Sequence, residues 1–214
     1  MYKLFWAKGT ASFGAQAVLE EGGLEYELIR VDITSGEHIR PEYLAINPLG
    51  KVPALILPDG QHMYEVAAIM LYLAEHHKMD KLAPGFDDPL RGLFYRSLFH
   101  LTNTVQTNYK RFYYPERFST DPADAPRIKA KAVEDLIADW RPVDDHLAQG
   151  GPYHLGQQFS LVDIYLVMLA TWFRPMDELL QTFPAVRRCY ELVAQRAAIA
   201  KCLQQQPNLS LGKI

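Results

Sequence analysis

The chain has 214 residues, enough for one large domain or two small ones with a self-sufficient core. Its 49% hydrophobic and 22% charged residues fit an ordinary globular protein, and a formal charge of −3 gives no basic field for nucleic acid. No run approaches the roughly 18 apolar residues of a membrane span, and MYKLFWAKGT lacks a signal-peptide pattern. The two cysteines, Cys189 and Cys202, suit a reducing compartment without a disulfide framework, so a cytoplasmic protein is expected.

In chain order, YKLFW (Tyr2–Trp6) reads as a buried strand and Gly9 as part of the turn after it. From Ser12, apolar residues at Ala15, Val18 and Leu19, then Gly22, keep helical spacing until Gly22-Gly23 stops them. EYELIRVD (Glu25–Asp32) is a second strand, and PEYLAIN a short helix with Pro41 in its first turn. Pro53–Leu57 is a third strand, Asp59-Gly60 a hairpin turn, and Gln61–Tyr64 the returning strand. Helical spacing resumes from Glu65 through Val66, Ile69, Met70 and Leu73. The predicted order is β-α-β-α-β-β-α. HKMDKLAPGFDDP then carries Pro, Gly and charge without periodicity, and reads as a linker. Beyond Pro89 only helical patterns remain, near Leu90–Tyr114, Pro126–Ala148, Leu161–Phe173 and Pro184–Ala200. The expected division is an α/β domain over residues 1–78, a linker over 79–88 and an all-α domain over 89–214.

Asn47–Leu55, NPLGKVPAL, sets a proline at the head of a strand, where its missing N–H costs no ladder bond. A cis bond before Pro53 turns the N–H and C=O of Val52 outward, free to pair with an extended ligand backbone. The alternative is an ordinary loop proline. Glu65 and Val66 open a helix whose free N–H groups attract an anion. A carboxylate on the Val66 N–H and an ammonium on the Glu65 side chain together describe one α-amino acid end. The alternative is that Glu65 only complements the helix dipole.

In FSLVDIYL, Ser160 and Asp163 occupy N-cap and N3, with Phe159 and Ile164 at staple positions; this reading is structural, and Asp163 is left out of any site. On the helix expected at Leu90–Tyr114, His100, Asn103, Thr107 and Lys110 form a polar stripe beside Tyr109, Tyr113 and Tyr114. Such a stripe is either a solvated face or the wall of a cleft for an apolar or aromatic substrate. His76, His77 and Asp80 do not make a metal site, because adjacent histidines diverge on a helix. Cys189 keeps apolar spacing with Val186, Tyr190 and Val193, and reads as packing.

Together LEEGGLEYELIRVD, EYLAINPLGKVPAL and FSLVDI resemble bacterial members of the cytosolic glutathione transferase superfamily along nearly the whole chain. The resemblance implies a thioredoxin-like domain with a mixed four-stranded sheet, a linker and an all-α helical domain. It further implies glutathione as co-substrate without metal, a small hydrophobic electrophile as second substrate, and a homodimer. Carried over, Val52 beside cis-Pro53 pairs with the cysteinyl backbone, Glu65 and Val66 hold the γ-glutamyl end, and Lys51 and His38 lie near the glycine carboxylate. Asn103, Thr107, Tyr109 and Tyr113 then line the second-substrate cleft.

Two departures stand out. Val66 replaces the usual serine, which removes one hydroxyl contact to a carboxylate. Ala11 stands where beta-type members have a cysteine, and Trp6 and Ala7 where animal classes have a tyrosine. The hydroxyls left in KGTAS are those of Ser12, the first choice to activate the thiol, and Thr10, the second; Ser12 also reads as a plain N-cap. A glutathione-binding or regulatory module with little transferase activity is the rival expectation.

Overall fold

Strand pairing decides which parts of the first unit become neighbours. In the computed structural model, which describes residues 1–205, β1 (Tyr2–Trp6) runs into α1 (Ser12–Glu21) and returns parallel to itself as β2 (Tyr26–Arg30). A 3-10 turn (Glu37–Ile39) and α2 (Pro41–Leu44) lead to the hairpin β3 (Ala54–Ile56) and β4 (His62–Tyr64), followed by α3 (Val66–His76). The sheet order is β2-β1-β3-β4, with β3 antiparallel to both neighbours. This is the expected thioredoxin-like arrangement, a mixed four-stranded sheet.

Alternation along the strands explains how both faces are covered. Leu4 pairs with Leu55, and both are fully buried; α1 and α3 contribute Val18, Leu19, Ile69, Met70 and Leu73, all fully buried as well. Phe5 pairs with Ala54 and belongs to a second cluster with Val31, Tyr43, Ile33, Ile46 and Val52. Burying one such aliphatic side chain contributes about 1.5–3 kcal/mol, so these apolar positions fix the register. Gly23 ends α1 at φ 60°, and the next N–H, on Leu24, reaches the Leu19 carbonyl at 3.0 Å.

The second unit, Phe86–Val193, is helical. The expected helix Leu90–Tyr114 is α4 (Arg91–Phe99), a π-helical segment (His100–Val105) and α5 (Gln106–Tyr113). Short 3-10 turns precede the long α6 (Ala125–Gly150); α7 (Leu161–Ala170) is buried at every position. The short α8 (Met176–Thr182) was not anticipated. The single helix expected at Pro184–Ala200 is instead α9 (Pro184–Ala194) and α10 (Ala197–Gln205).

The chain from Ala194 groups with the first unit, so the helical domain expected over 89–214 loses its last helix. The reason is electrostatic as well as apolar. Arg196 makes two 2.7 Å bonds to the Glu21 carboxylate, Lys201 meets Glu20 at 2.7 Å, and Cys202 is fully buried. Burial alone would raise the Glu20 carboxyl, but hydrogen bonds from Lys201 and Tyr26 outweigh it and hold the group below its ordinary value. A depressed folded pKa contributes stability that is present above the unfolded value, about 4.3, and lost as pH falls through the folded one. Melting temperature is therefore expected to fall on acidification below about pH 4, with Glu20→Gln flattening that limb.

Ser160 and Asp163 form the predicted capping box. Asp163 accepts from Ser160 N–H at 2.8 Å and from the His154 N–H and ring Nδ1, each at 2.9 Å. Burial pushes the Cys189 thiol up, and its S–H points at the same carboxylate over 3.6 Å. Asp163 thus gathers the buried donors of Ser160, His154 and Cys189 at the start of α7. Ser160→Ala is expected to cost about 1 kcal/mol. Asp163→Ala orphans several buried donors and should cost about 3 kcal/mol or more in denaturant unfolding.

Candidate functional site

The ends of three strands bring together segments far apart in sequence. β3 pairs with β1 through Phe5–Ala54 and with β4 through Ala54–Tyr64. Continuing those registers sets Trp6 beside Pro53 and Ala7 beside Val52, with Glu65 on the other flank of Pro53. Neighbouring strands lie about 4.8 Å apart, so the row from Ala7 to Glu65 spans about 10 Å, the length of three extended residues.

The Val52–Pro53 peptide bond is cis, as the sequence reading expects. The loop before it is held by side chains whose role sequence reasoning missed. The Lys51 carbonyl accepts from Tyr43 Oη and from Asn47 Nδ2, both at 2.6 Å, and Asn47 Oδ1 takes the Leu49 N–H at 3.0 Å. Burial raises the Tyr43 phenol, which keeps its proton available as a donor. Gly50 takes φ 58°, and a Cβ there would stand 3.1 Å from the His38 carbonyl. The 3-10 turn bearing His38 thus lies against the loop bearing Lys51. Lys51 itself is exposed, and the buried Nδ1 of His38 has no hydrogen-bond partner among the described residues.

At the other flank Glu65 adopts φ 68° and ψ 105°, a conformation rare outside glycine and costly by about 1–3 kcal/mol. Helix α3 begins at the next residue and has no side-chain cap. Its first N–H groups keep the partial positive charge of a helix end, roughly half an elementary charge. Val66 turns its side chain into the core, 5% exposed, while Glu65 is exposed. One backbone twist therefore sets an exposed carboxylate beside an uncapped helix start.

Beyond β1 the two hydroxyls of KGTAS lie together. Ser12 Oγ and Thr10 Oγ1 are 2.6 Å apart, and both reach the Ala7 carbonyl, Thr10 at 2.7 Å and Ser12 at 3.1 Å. Ser12 is fully buried and Thr10 half-buried. Ser12 makes no side-chain cap; Ala11 is the N-cap position of α1.

The proposed second-substrate residues of α5 and the π segment do not behave alike. Asn103 is exposed and accepts from Thr102 at 3.1 Å, and Thr107 is half-buried. Tyr113 donates its hydroxyl proton to the Trp172 carbonyl. Tyr109 is a correction: it is 2% exposed, stacks edge-on against Trp172 at 5.9 Å, and accepts from Trp140 Nε1 at 3.2 Å. It belongs to the core of the second unit and lines no cleft. His76 stacks on Tyr72 and meets the His77 ring edge to face at 5.0 Å, so these neighbours do not diverge as expected; His77 Nε2 lies 2.7 Å from the Tyr2 hydroxyl.

Fold and site together describe a thioredoxin-like domain carrying a peptide-sized row of polar groups, followed by a helical unit. Residues 11–76 match the family model for the glutathione S-transferase N-terminal domain, and residues 123–191 that for its C-terminal domain. The GST-like protein YncG of Escherichia coli K12 is 30% identical over 173 residues, 80% of this chain and 82% of its own. Glutathione S-transferase GstA of Escherichia coli O157:H7 is 26% identical over 206 residues, 95% of this chain and 98% of its own. A crystal structure of a glutathione transferase homologue from Sulfitobacter with bound glutathione superposes at a TM-score of 0.88. It is 28% identical, covering 96% of this chain and 98% of that one. The chain belongs to the glutathione S-transferase family.

Asn47→Ala removes one of two donors to the Lys51 carbonyl and strands the Leu49 N–H. A loss of about 1–3 kcal/mol in unfolding free energy is expected, with Tyr43→Phe costing about 1 kcal/mol.

Proposed function

We propose that this protein binds glutathione along the row Ala7–Val52–Pro53–Glu65 and ionises its thiol for attack on a small hydrophobic electrophile. The observation that carries this reading is the convergence, at one end of the sheet, of the KGTAS hydroxyls, the backbone of Val52 and the uncapped start of α3. The bound glutathione in the Sulfitobacter homologue supports it. Val52 pairs with the cysteinyl backbone. The γ-glutamyl ammonium meets the Glu65 carboxylate and its carboxylate meets the Val66 N–H. Lys51 and His38 serve the glycine carboxylate. The sulfur then falls at the β1 end of the row, beside Thr10 and Ser12. The same reading includes a cytoplasmic homodimer and a second-substrate surface drawing on Asn103, Thr107 and Tyr113.

The activation needed is modest. A free thiol titrates near 8.5, and lowering it by about two units, some 2.7 kcal/mol, makes thiolate the major form at neutral pH. A helix start contributes about 0.3–1 kcal/mol, so most must come from hydrogen bonds to the sulfur, about 1.5–3 kcal/mol each for a charged acceptor. Attack forms the C–S bond as the electrophile's leaving group departs with its electron pair, or as its double bond takes up a proton.

A second reading is a binding module of the same fold without transferase activity. Ala11 and the complete burial of Ser12 favour it. Calorimetric titration with glutathione, followed by ultraviolet detection of bound thiolate across pH, separates the two: binding with an unshifted thiol means a module. Absence of binding sinks both. Glu65→Ala should weaken glutathione at least tenfold, about 1.4 kcal/mol; unchanged affinity would displace the γ-glutamyl group from this position.

A further inference from the structure

The geometry points to Thr10 as the catalytic donor to the sulfur and to Ser12 as a positioning residue that acts through Ala7. This inference rests on the glutathione reading above. Two hydroxyl protons and one peptide carbonyl make up a closed set at the end of β1. At rest Thr10 donates to the Ala7 carbonyl at 2.7 Å, and Ser12 stands 2.6 Å from Thr10 and 3.1 Å from the same carbonyl. Ser12 also takes the Ala7 N–H at 3.4 Å, so its oxygen is tied to both ends of that residue. It is wholly shielded, whereas Thr10 is half-buried, so Thr10 is the one of the two with surface open to an incoming ligand.

Backbone donors do not fill the role equally well. In the first turn of α1 the Phe13 N–H already bonds the Thr10 carbonyl at 3.3 Å and the Gly14 N–H the Ala11 carbonyl at 3.1 Å. The Ser12 N–H faces Thr10 Oγ1 at 3.4 Å.

The exchange proceeds without any proton passing between protein and ligand. The glutathione S–H bond breaks and its proton leaves to water, while the electron pair stays on sulfur. The Thr10 O–H rotates from the Ala7 carbonyl to the thiolate. Ser12 then turns its own O–H onto the vacated carbonyl, 3.1 Å away, so no buried acceptor is left unpaired. Without Ser12, each ionisation would orphan that carbonyl. Ser12 therefore lowers the thiol pKa without touching the sulfur. The device takes the place of the cysteine that Ala11 lacks.

The test is the pKa of the bound glutathione thiol, read by thiolate absorbance in the full-length protein, with glutathione affinity and melting temperature measured alongside. Thr10→Val is expected to raise that pKa by about one to two units, a ten- to hundredfold drop in the thiolate-to-thiol ratio at neutral pH. Thr10→Ala serves in its place if valine disturbs the turn, and Thr10→Ser should restore the wild-type value. Ser12→Ala should raise the pKa by a smaller amount at unchanged affinity for glutathione. A Thr10→Val or Thr10→Ala complex with wild-type thiol pKa overturns the assignment. So does a Ser12→Ala shift equal to or larger than that of the threonine variants, which would make Ser12 the direct donor. Failure of the wild-type protein to bind glutathione overturns the relay and the reading beneath it; binding with an undisturbed relay titration overturns the relay alone.

Discussion

The three-residue ladder of Ala54–Ile56 holds the candidate site together. It pairs with β1 on one side and β4 on the other, and those two pairings bring the end of β1, the start of β3 and the end of β4 to the same edge of the sheet. The ladder is short, so its register must be enforced from outside. Leu55 is fully buried against one layer and Ala54 against the other, and a slip of one residue would exchange those faces. Packing thus decides chemistry here. Burial of a few aliphatic side chains aligns backbone groups that themselves contribute nothing to the core.

Energy is distributed unevenly along the row. The loop before Pro53 is satisfied internally, with Tyr43 and Asn47 both spent on the Lys51 carbonyl. The two flanks are not. Glu65 is held in a strained backbone conformation beside an uncapped helix, and His38 has a ring nitrogen without partner among the described residues. In the proposed complex, strain and unfilled polar capacity fall to the tripeptide's two carboxylates, and the satisfied region to its backbone. That division is what a preorganised peptide site requires.

Much of the first unit was legible from patterning. β1 was read at its observed limits and α1 from its observed start, because a buried strand and a glycine stop leave distinct periods in sequence. The proline turn, the helix start at Glu65 and the Ser160–Asp163 box were legible for the same reason: each is a local rule about hydrogen bonds at an element's end. What escaped depends on contacts between distant residues. Nothing in the spacing of Tyr109 tells that Trp140 and Trp172 enclose it, so a tyrosine beside a polar stripe was mistaken for a cleft residue. The side chains of Tyr43 and Asn47 bond a carbonyl eight and four residues away, a separation with no sequence signature. The positive φ of Glu65 runs against the preference of its own side chain, so nothing in the residue's identity announces it.

The last helix has a consequence for how the molecule is made. During synthesis the strands and helices of the first 85 residues emerge early, yet the outer side of α1 acquires its partners Arg196 and Lys201 only when nearly all of the chain has been translated. The half of the protein that leaves the ribosome first is therefore completed last. Until then, one flank of the helix that carries Ser12 stays bare to solvent and to any chaperone that meets the nascent chain.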